Sequence, residues 1–291
     1  MDTPITTALV RQLLVEQFPQ YAQLPIRPIK PGGVDNRMFR LGDAFVVRLP
    51  SAAGYAAQVE KENTWLPRLA PQLPIAIPQP VVMGRPSLGY PLHWSVYEWI
   101  EGSSADRIVL DDETLTFLAL QLADFLKALH RIDAQEGPPP GVHNYHRGAS
   151  VSVYDCEARQ SIRMLGDVLN EDRALRVWER AIETRWKGAP VWVHGDVASG
   201  NLLVKDGRLA AVIDFGCMGV GDPACDLIIA WTLFQGRSRE VFQDALALDT
   251  ATWARARGWA LWKAGFELTS VARQIEGRKP WFDVWQAVID Q

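Results

Sequence analysis

Two carboxylates and an amide are the residues in this chain whose types and spacing could do chemistry. Val193-His194-Gly195-Asp196 reads as the end of a strand, and Asn201 follows Asp196 by five residues. Leu202–Val204 and Leu209–Ile213 flank Asp206-Gly207, a pair suited to tight turns, so these runs read as a hairpin. A hairpin brings its ends together, which is expected to return Asp214 to the neighbourhood of Asp196 and Asn201. Oxygen donors of this kind suit hard cations, above all Mg²⁺. With one carboxylate left off the metal, the set could also orient a hydroxyl beside a metal-bound phosphate, as phosphoryl transfer requires. Asp196 alone would be an ordinary turn former beside glycine. The series as a whole, His-Gly-Asp, then Asn, a hairpin and Asp214-Phe215-Gly216, is what departs from chance.

The rest of the chain must hold these groups in place. Apolar residues recur at helical spacing at Ile5, Leu9, Val10, Leu13, Leu14 and Phe18. Met38–Leu41 and Ala44–Leu49 read as a hairpin around Gly42-Asp43. Ala52–Ala70 reads as a helix with Pro67 as a kink or restart. Seven prolines between Pro67 and Pro91 predict extended, turning chain, and Leu92–Ile100 predicts a strand. After the break at Glu101–Ser104 the pattern is mainly helical, with short strands at 191–213. The odd count of three cysteines (Cys156, Cys217, Cys225), with no CxxC pair, reads as reduced thiols in a cytoplasmic protein rather than a redox or metal pair. A formal charge of -4 gives no basic surplus for nucleic acid or an anionic membrane. No apolar run nears the ~20 residues that cross a bilayer, and the N-terminus lacks a secretory signal.

His194-Gly195-Asp196, Asn201 and Asp214-Phe215-Gly216 together resemble the aminoglycoside phosphotransferase family of the protein-kinase-like superfamily, from about Gly32 to Trp262. The resemblance implies an α+β, bilobal fold: a small β-rich N-lobe at 1–100, a hinge at 101–104 and a larger, mainly helical C-lobe at 105–291. It implies Mg²⁺-dependent movement of the γ-phosphoryl group of ATP (or GTP) to a hydroxyl of a small molecule. An aminoglycoside or similar antibiotic is the leading acceptor, which would make the chain a resistance enzyme. By the same resemblance Asp196 is the catalytic base, Asn201 and Asp214 are the Mg²⁺ ligands, and His194 is a scaffold for the loop. Asp222, before Pro223, suits a helix N-cap, and Asp226 lies one turn on; both are read as structural supports.

In Phe45-Val46-Val47-Arg48-Leu49 the side chains alternate faces, which sets Val46 and Arg48 together. By resemblance Val46 covers the base and Arg48 reaches the phosphates, where the protein-kinase pattern has lysine. Glu62, on the following helix, is its best partner, since Glu60 faces elsewhere. Gly32-Gly33 with Asn36 reads as a phosphate-covering loop, although without the full glycine pattern a plain turn stays open. Tyr97-Glu98-Trp99-Ile100 resembles the interlobe segment, with main-chain groups of Glu98 and Ile100 at the base edge and Tyr97 limiting pocket depth.

Three rivals stand beside this reading. A kinase for choline, homoserine or a thio-sugar would share every motif. A silent nucleotide-binding module would lack Asp196, Asn201 or Asp214, and all three are present. A metal-dependent hydrolase would want more histidines than His93, His130, His143, His146 and His194 supply. The short stretch from Asp214 to Pro223 argues against protein acceptors. A polycationic acceptor would want clustered carboxylates, for which Asp155, Glu157, Glu267, Asp283 and Asp290 are candidates.

Overall fold

The computed structural model describes residues 4–29, 35–270 and 275–291, with the side chains of 167–168 and 275–279 excepted. It divides into a smaller unit, Met1–Gly102 with Ala210–Gly216, and a larger one, Ser103–Leu209 with Cys217–Gln291. The smaller is rich in strand and the larger in helix, so the α+β expectation holds.

In the smaller unit, helix α1 (Thr7–Gln17) starts at Thr6, whose hydroxyl accepts from the Leu9 N–H. Its stripe Leu9, Val10, Leu13 and Leu14 is buried. The sheet is antiparallel, built from β1 (Ile26–Pro28), β2 (Asn36–Leu41), β3 (Phe45–Pro50), β4 (Pro80–Gly84) and β5 (Trp94–Glu98) in the order β1-β2-β3-β5-β4. Gly42, at φ +57°, makes the tight return between β2 and β3 that puts Met38 opposite Arg48. Phe39, Leu41, Val47, Leu49, Trp94 and Val96 form one core with α1. Val46 and Arg48 fall on the other face by strand parity. Helix α2 (Ala56–Leu69) buries Gln58, Val59, Glu62, Leu66 and Leu69. Pro67 stands inside its last turn without ending it, because so late a proline forfeits few helical hydrogen bonds. Within the proline-rich stretch β4 pairs with β5, and Pro80 is accommodated because β4 is an edge strand.

In the larger unit, β6 (Ser103–Ser104) pairs with β8 (Leu202–Lys205), and β7 (Val191–Val193) pairs with β10 (Gly219–Gly221). The hairpin return strand β9 (Arg208–Val212) carries the chain from the larger unit into the smaller. Helix α3 (Asp112–Arg131), capped by Asp111, buries Leu115, Leu118, Leu122, Phe125, Leu126 and Leu129, which recur at helical spacing. Helices α4 (Asp155–Leu169), α5 (Glu171–Glu183), α6 (Ile229–Thr232), α7 (Gly236–Leu246), α8 (Thr250–Thr269) and α9 (Ile275–Ile289) complete the unit. Helix α8 is buried nearly all round and packs against α4, α5 and α9. Gly258 permits the close approach of α5, since a Cβ there would sit 2.3 Å from that of Ala181.

Residues 210–216, read from the sequence as C-lobe, group with the smaller unit for a local reason. Ala211 bridges Ala76, Val212 N–H donates to Ala76 O, and Lys61 Nζ donates to Gly216 O at 2.7 Å.

At the end of α3, burial pushes the His130 imidazole down to about 4, and its Nε2 has no hydrogen-bond partner among the described residues. The unfolded chain takes up this proton near pH ~6.5, whereas the folded chain resists it. Stability is therefore expected to fall as pH drops from about 6.5 to about 4, by up to ~3 kcal/mol from this residue. His130→Gln should flatten that part of the profile in denaturant titrations at both ends of the window. An unchanged profile would show that His130 does not set it.

Candidate active site

In the larger unit the site starts where β7 ends. His194 is fully buried. The N–H groups of His194 and Gly195 donate to the two oxygens of Asp226, at 2.8 and 2.6 Å. Burial raises the Asp226 carboxyl, against the opposing pull of His194, these two donors and Arg147. Gly195 has φ +85°, and a Cβ there would lie 2.4 Å from Cys217 O, so only glycine fits. The Asp196 N–H then donates to His194 Nδ1 (3.2 Å), which leaves the ring proton on Nε2. Asn201 Nδ2 donates to Asp196 O at 2.9 Å and to its Oδ2 at 3.3 Å. Asp222 caps the turn Pro223–Ile228 through the Ala224 N–H and accepts from Arg255 Nε at 2.6 Å. Burial raises the Asp222 carboxyl, and Arg255 counters it.

In the smaller unit, Glu62 Oε2 accepts from Arg48 Nη1 at 3.0 Å and from the Tyr97 hydroxyl at 2.5 Å. Arg48 Nη2 lies 3.7 Å from Asp214 Oδ1. Burial opposes the Arg48 charge, but Glu62, Tyr97, Asp214 and Asp35 outweigh it and hold the guanidinium above its ordinary value. Burial and Glu62 push the Tyr97 phenol up. Glu62 is 2 % exposed and Asp214 45 %, so the cluster runs from the interior to an open carboxylate. Asn36 and Val46 are buried in the same unit, and Asn36 shares a small cavity with Arg48, Glu62 and Tyr97. Glu98 N–H donates to Gln79 O, so a base contact at this residue would fall to its carbonyl; Ile100 is half-buried. Gly33 lies outside the described residues.

The model of the phosphotransferase enzyme family matches residues 25–259. The chain belongs to this family. It is 26 % identical over 157 residues to an aminoglycoside 3'-phosphotransferase of Escherichia coli, covering 49 % of this chain and 53 % of that one. It is similar in fold to the GDP and kanamycin complex of APH(2")-IIia, with a TM-score of 0.75 at 19 % identity over 97 % of this chain and 98 % of that one. The macrolide 2'-phosphotransferase MphH of Brachybacterium faecium gives a TM-score of 0.62 at 20 % identity, over 95 % and 96 %. The resemblance read from the sequence and the kinase-like fold it implied therefore hold, and the protein is a phosphotransferase of the small-molecule type.

Each unit offers an oxygen donor of the kind Mg²⁺ takes. With its Nδ2 tied to Asp196, Asn201 has its Oδ1 left for a ligand, and Asp214 offers an open carboxylate. Among the described residues no cage of three His, Cys, Asp or Glu side chains forms. Mg²⁺ needs none, because one or two protein ligands and phosphate oxygens hold it.

Beside Asp196 the larger unit has a cavity of about 220 Å³ lined by Arg147, Ser199, Lys263 and Trp281, among others. Arg147 escaped the sequence reading because it lies in an irregular loop and in no motif. Its Nε donates to Gly195 O at 2.8 Å. The carboxylates singled out for a polycationic acceptor do not line this cavity. Asp155 accepts from Trp178 and Arg159, Glu157 from Trp262, Glu267 pairs with Lys263, and Asp290 with Arg173.

If Arg48 holds phosphate oxygens with Glu62 orienting it, Arg48→Ala should weaken nucleotide affinity by about 10- to 150-fold, the worth of a hydrogen bond to a charged group. Arg48→Lys should recover part, since charge returns without the planar fork. Glu62→Gln should give a smaller defect, and the double variant should be less than additive. Nucleotide titration checks this; wild-type affinity in Arg48→Ala would remove residue 48 from the phosphate site.

Proposed function

We propose that this phosphotransferase moves the γ-phosphoryl group of ATP or GTP to a hydroxyl of a small molecule, with Mg²⁺, in the cytoplasm. The Asp196–Asn201 pair is the observation that supports this best. The Asn201 amide is hydrogen-bonded to the Asp196 main chain and to Oδ2, so the carboxylate is held in one orientation with Oδ1 open to a hydroxyl. Asp196 is then the catalytic base, accepting the acceptor's proton as its oxygen attacks phosphorus. In the other unit Arg48, oriented by Glu62, supplies a bidentate cation for phosphate oxygens. Val46, Tyr97, Glu98 and Ile100 are assigned to the base, Gly33 and Asn36 to the phosphate-covering loop. Asn201 and Asp214 would hold Mg²⁺, which when bound neutralises charge on the transferring phosphates. His194, Asp222 and Asp226 support the loop.

Aminoglycosides and macrolides, the acceptors in the names of similar proteins, come first in a transfer screen. A metabolite kinase is the second reading, favoured by a cavity with no lining carboxylate besides Asp196 among the described residues.

Asp196→Asn should leave nucleotide binding nearly intact and lower turnover by roughly 10²–10⁴, the size of a general-base effect. Near-normal kcat in a labelled-phosphate transfer assay would exclude Asp196 as the base. Asp214→Ala should abolish Mg²⁺-dependent nucleotide binding, and Asn201→Ala should weaken it less, because a carboxylate offers a full charge and an amide a dipole. Calorimetry with and without Mg²⁺ separates the two; equal losses would contradict the assignment.

A further inference from the structure

The cavity beside Asp196 is lined by a buried cation that no carboxylate of the described residues touches directly. Arg147 is 7 % exposed, and its guanidinium carbon lies 5.0 Å from the ring centroids of both Trp259 and Trp262. Its Nε bonds a neutral carbonyl and its guanidinium meets the Tyr154 hydroxyl, also neutral; among the described residues its Nη1 has no hydrogen-bond partner and it makes no contact ion pair. Asp226 is the anion that feels its charge, but from beyond ion-pair distance, with both oxygens turned to main-chain N–H groups. Buried cations are ordinarily paired, because an unpaired one has lost its hydration without replacement. The second cation on the cavity wall is Lys263, paired with Glu267 behind it at 2.9 Å. Against these two stands, among the described residues, one lining carboxylate, Asp196, which the proposed reaction reserves for a hydroxyl.

We propose that this cavity is an acceptor subsite selective for a carboxylate-bearing hydroxy compound. The acceptor carboxylate pairs with Arg147, Lys263 adds to the field, and the hydroxyl is directed to Asp196. Such a ligand supplies the direct anionic contact that Arg147 lacks, whereas a polycation would meet two like charges on the wall. Size agrees: at about 220 Å³ the cavity is below the ~300–1,000 Å³ of sites for drug-sized ligands. An acyclic or single-ring acceptor suits it better than a polycyclic antibiotic. The direction of the hydroxyl rests on the phosphotransfer reading above; the anion preference does not.

The test is calorimetry on the full chain, with and without a non-hydrolysable ATP analogue and Mg²⁺, using probes matched in size. Glycerate and gluconate are compared with glycerol and glucitol, and with ethanolamine and kanamycin. The anions should bind about 10-fold or more tightly than their neutral partners, as a charge-assisted bond predicts, and the cations most weakly. Lys263→Gln, at a partly exposed position, should narrow the preference several-fold, and Arg147→Lys should narrow it further. If Arg147→Lys does not fold, the wild-type order and Lys263→Gln decide. Equal or tighter binding of the neutral or cationic probes overturns the proposal. So does no binding of either anion at millimolar concentration, or a preference untouched by Lys263→Gln. Labelled γ-phosphoryl transfer is followed in the same mixtures. Anion preference without any transfer would count against the kinase reading and leave the subsite standing.

Discussion

The carboxylate of Asp226 is the constraint on which the geometry of the loop after β7 depends. Its two oxygens take the N–H groups of His194 and Gly195, just where β7 ends and no strand partner continues. Without it those donors would be buried and unsatisfied, at about 1–3 kcal/mol each. With them held, the positive φ of Gly195 turns the chain, His194 Nδ1 receives the Asp196 N–H, and Asn201 closes onto Asp196. Each contact in this series ties a side chain to the main chain of the loop, and the last of them, from Asn201, also reaches the Asp196 carboxylate.

The smaller unit uses the same device with opposite polarity. Glu62 is a buried carboxylate that gathers the Arg48 guanidinium and the Tyr97 hydroxyl from two neighbouring strands. Burial would otherwise strip charge from Arg48, yet the surrounding oxygens more than restore it. The result is a cation whose orientation is fixed in the free protein, which would lower the ordering cost of the phosphate contact proposed for it. Tyr97 shows how this was partly hidden. Its ring was legible as a wall residue, but its hydroxyl contact with a helix 35 residues earlier depends on tertiary packing.

What could be read from the sequence follows from how each feature is encoded. Strand parity separates Val46 and Arg48 from Val47 and Leu49 because strands alternate, and the core of α1 with the sheet follows that split. The α3 stripe was equally plain, since it repeats over several turns. Residue types at the His194–Asn201 and Asp214–Gly216 motifs were visible because their spacing is local. The grouping of residues 210–216 with the smaller unit was not, for it depends on Ala76 and Lys61, more than a hundred residues away. Strand β4 was obscured by its prolines, which only an edge position makes compatible with pairing.

Arg147 is the instructive omission. Nothing in the run Asn144-Tyr145-His146-Arg147-Gly148 signals a buried ion, because surface loops carry such residues freely. Its significance arises only when the loop folds, setting the guanidinium by two tryptophans and tying it to the Gly195 carbonyl. That bond couples it to the turn that Asp226 fixes, so a ligand pulling on Arg147 acts on the main chain next to Asp196. The same packing makes the residue costly to leave unpaired. A group whose burial is unfavourable in the free protein becomes favourable once an anion arrives, so part of the affinity for that anion is already stored in the fold. Selectivity of this kind needs no dedicated acidic or basic patch: one cation, buried deeply and left one partner short, suffices.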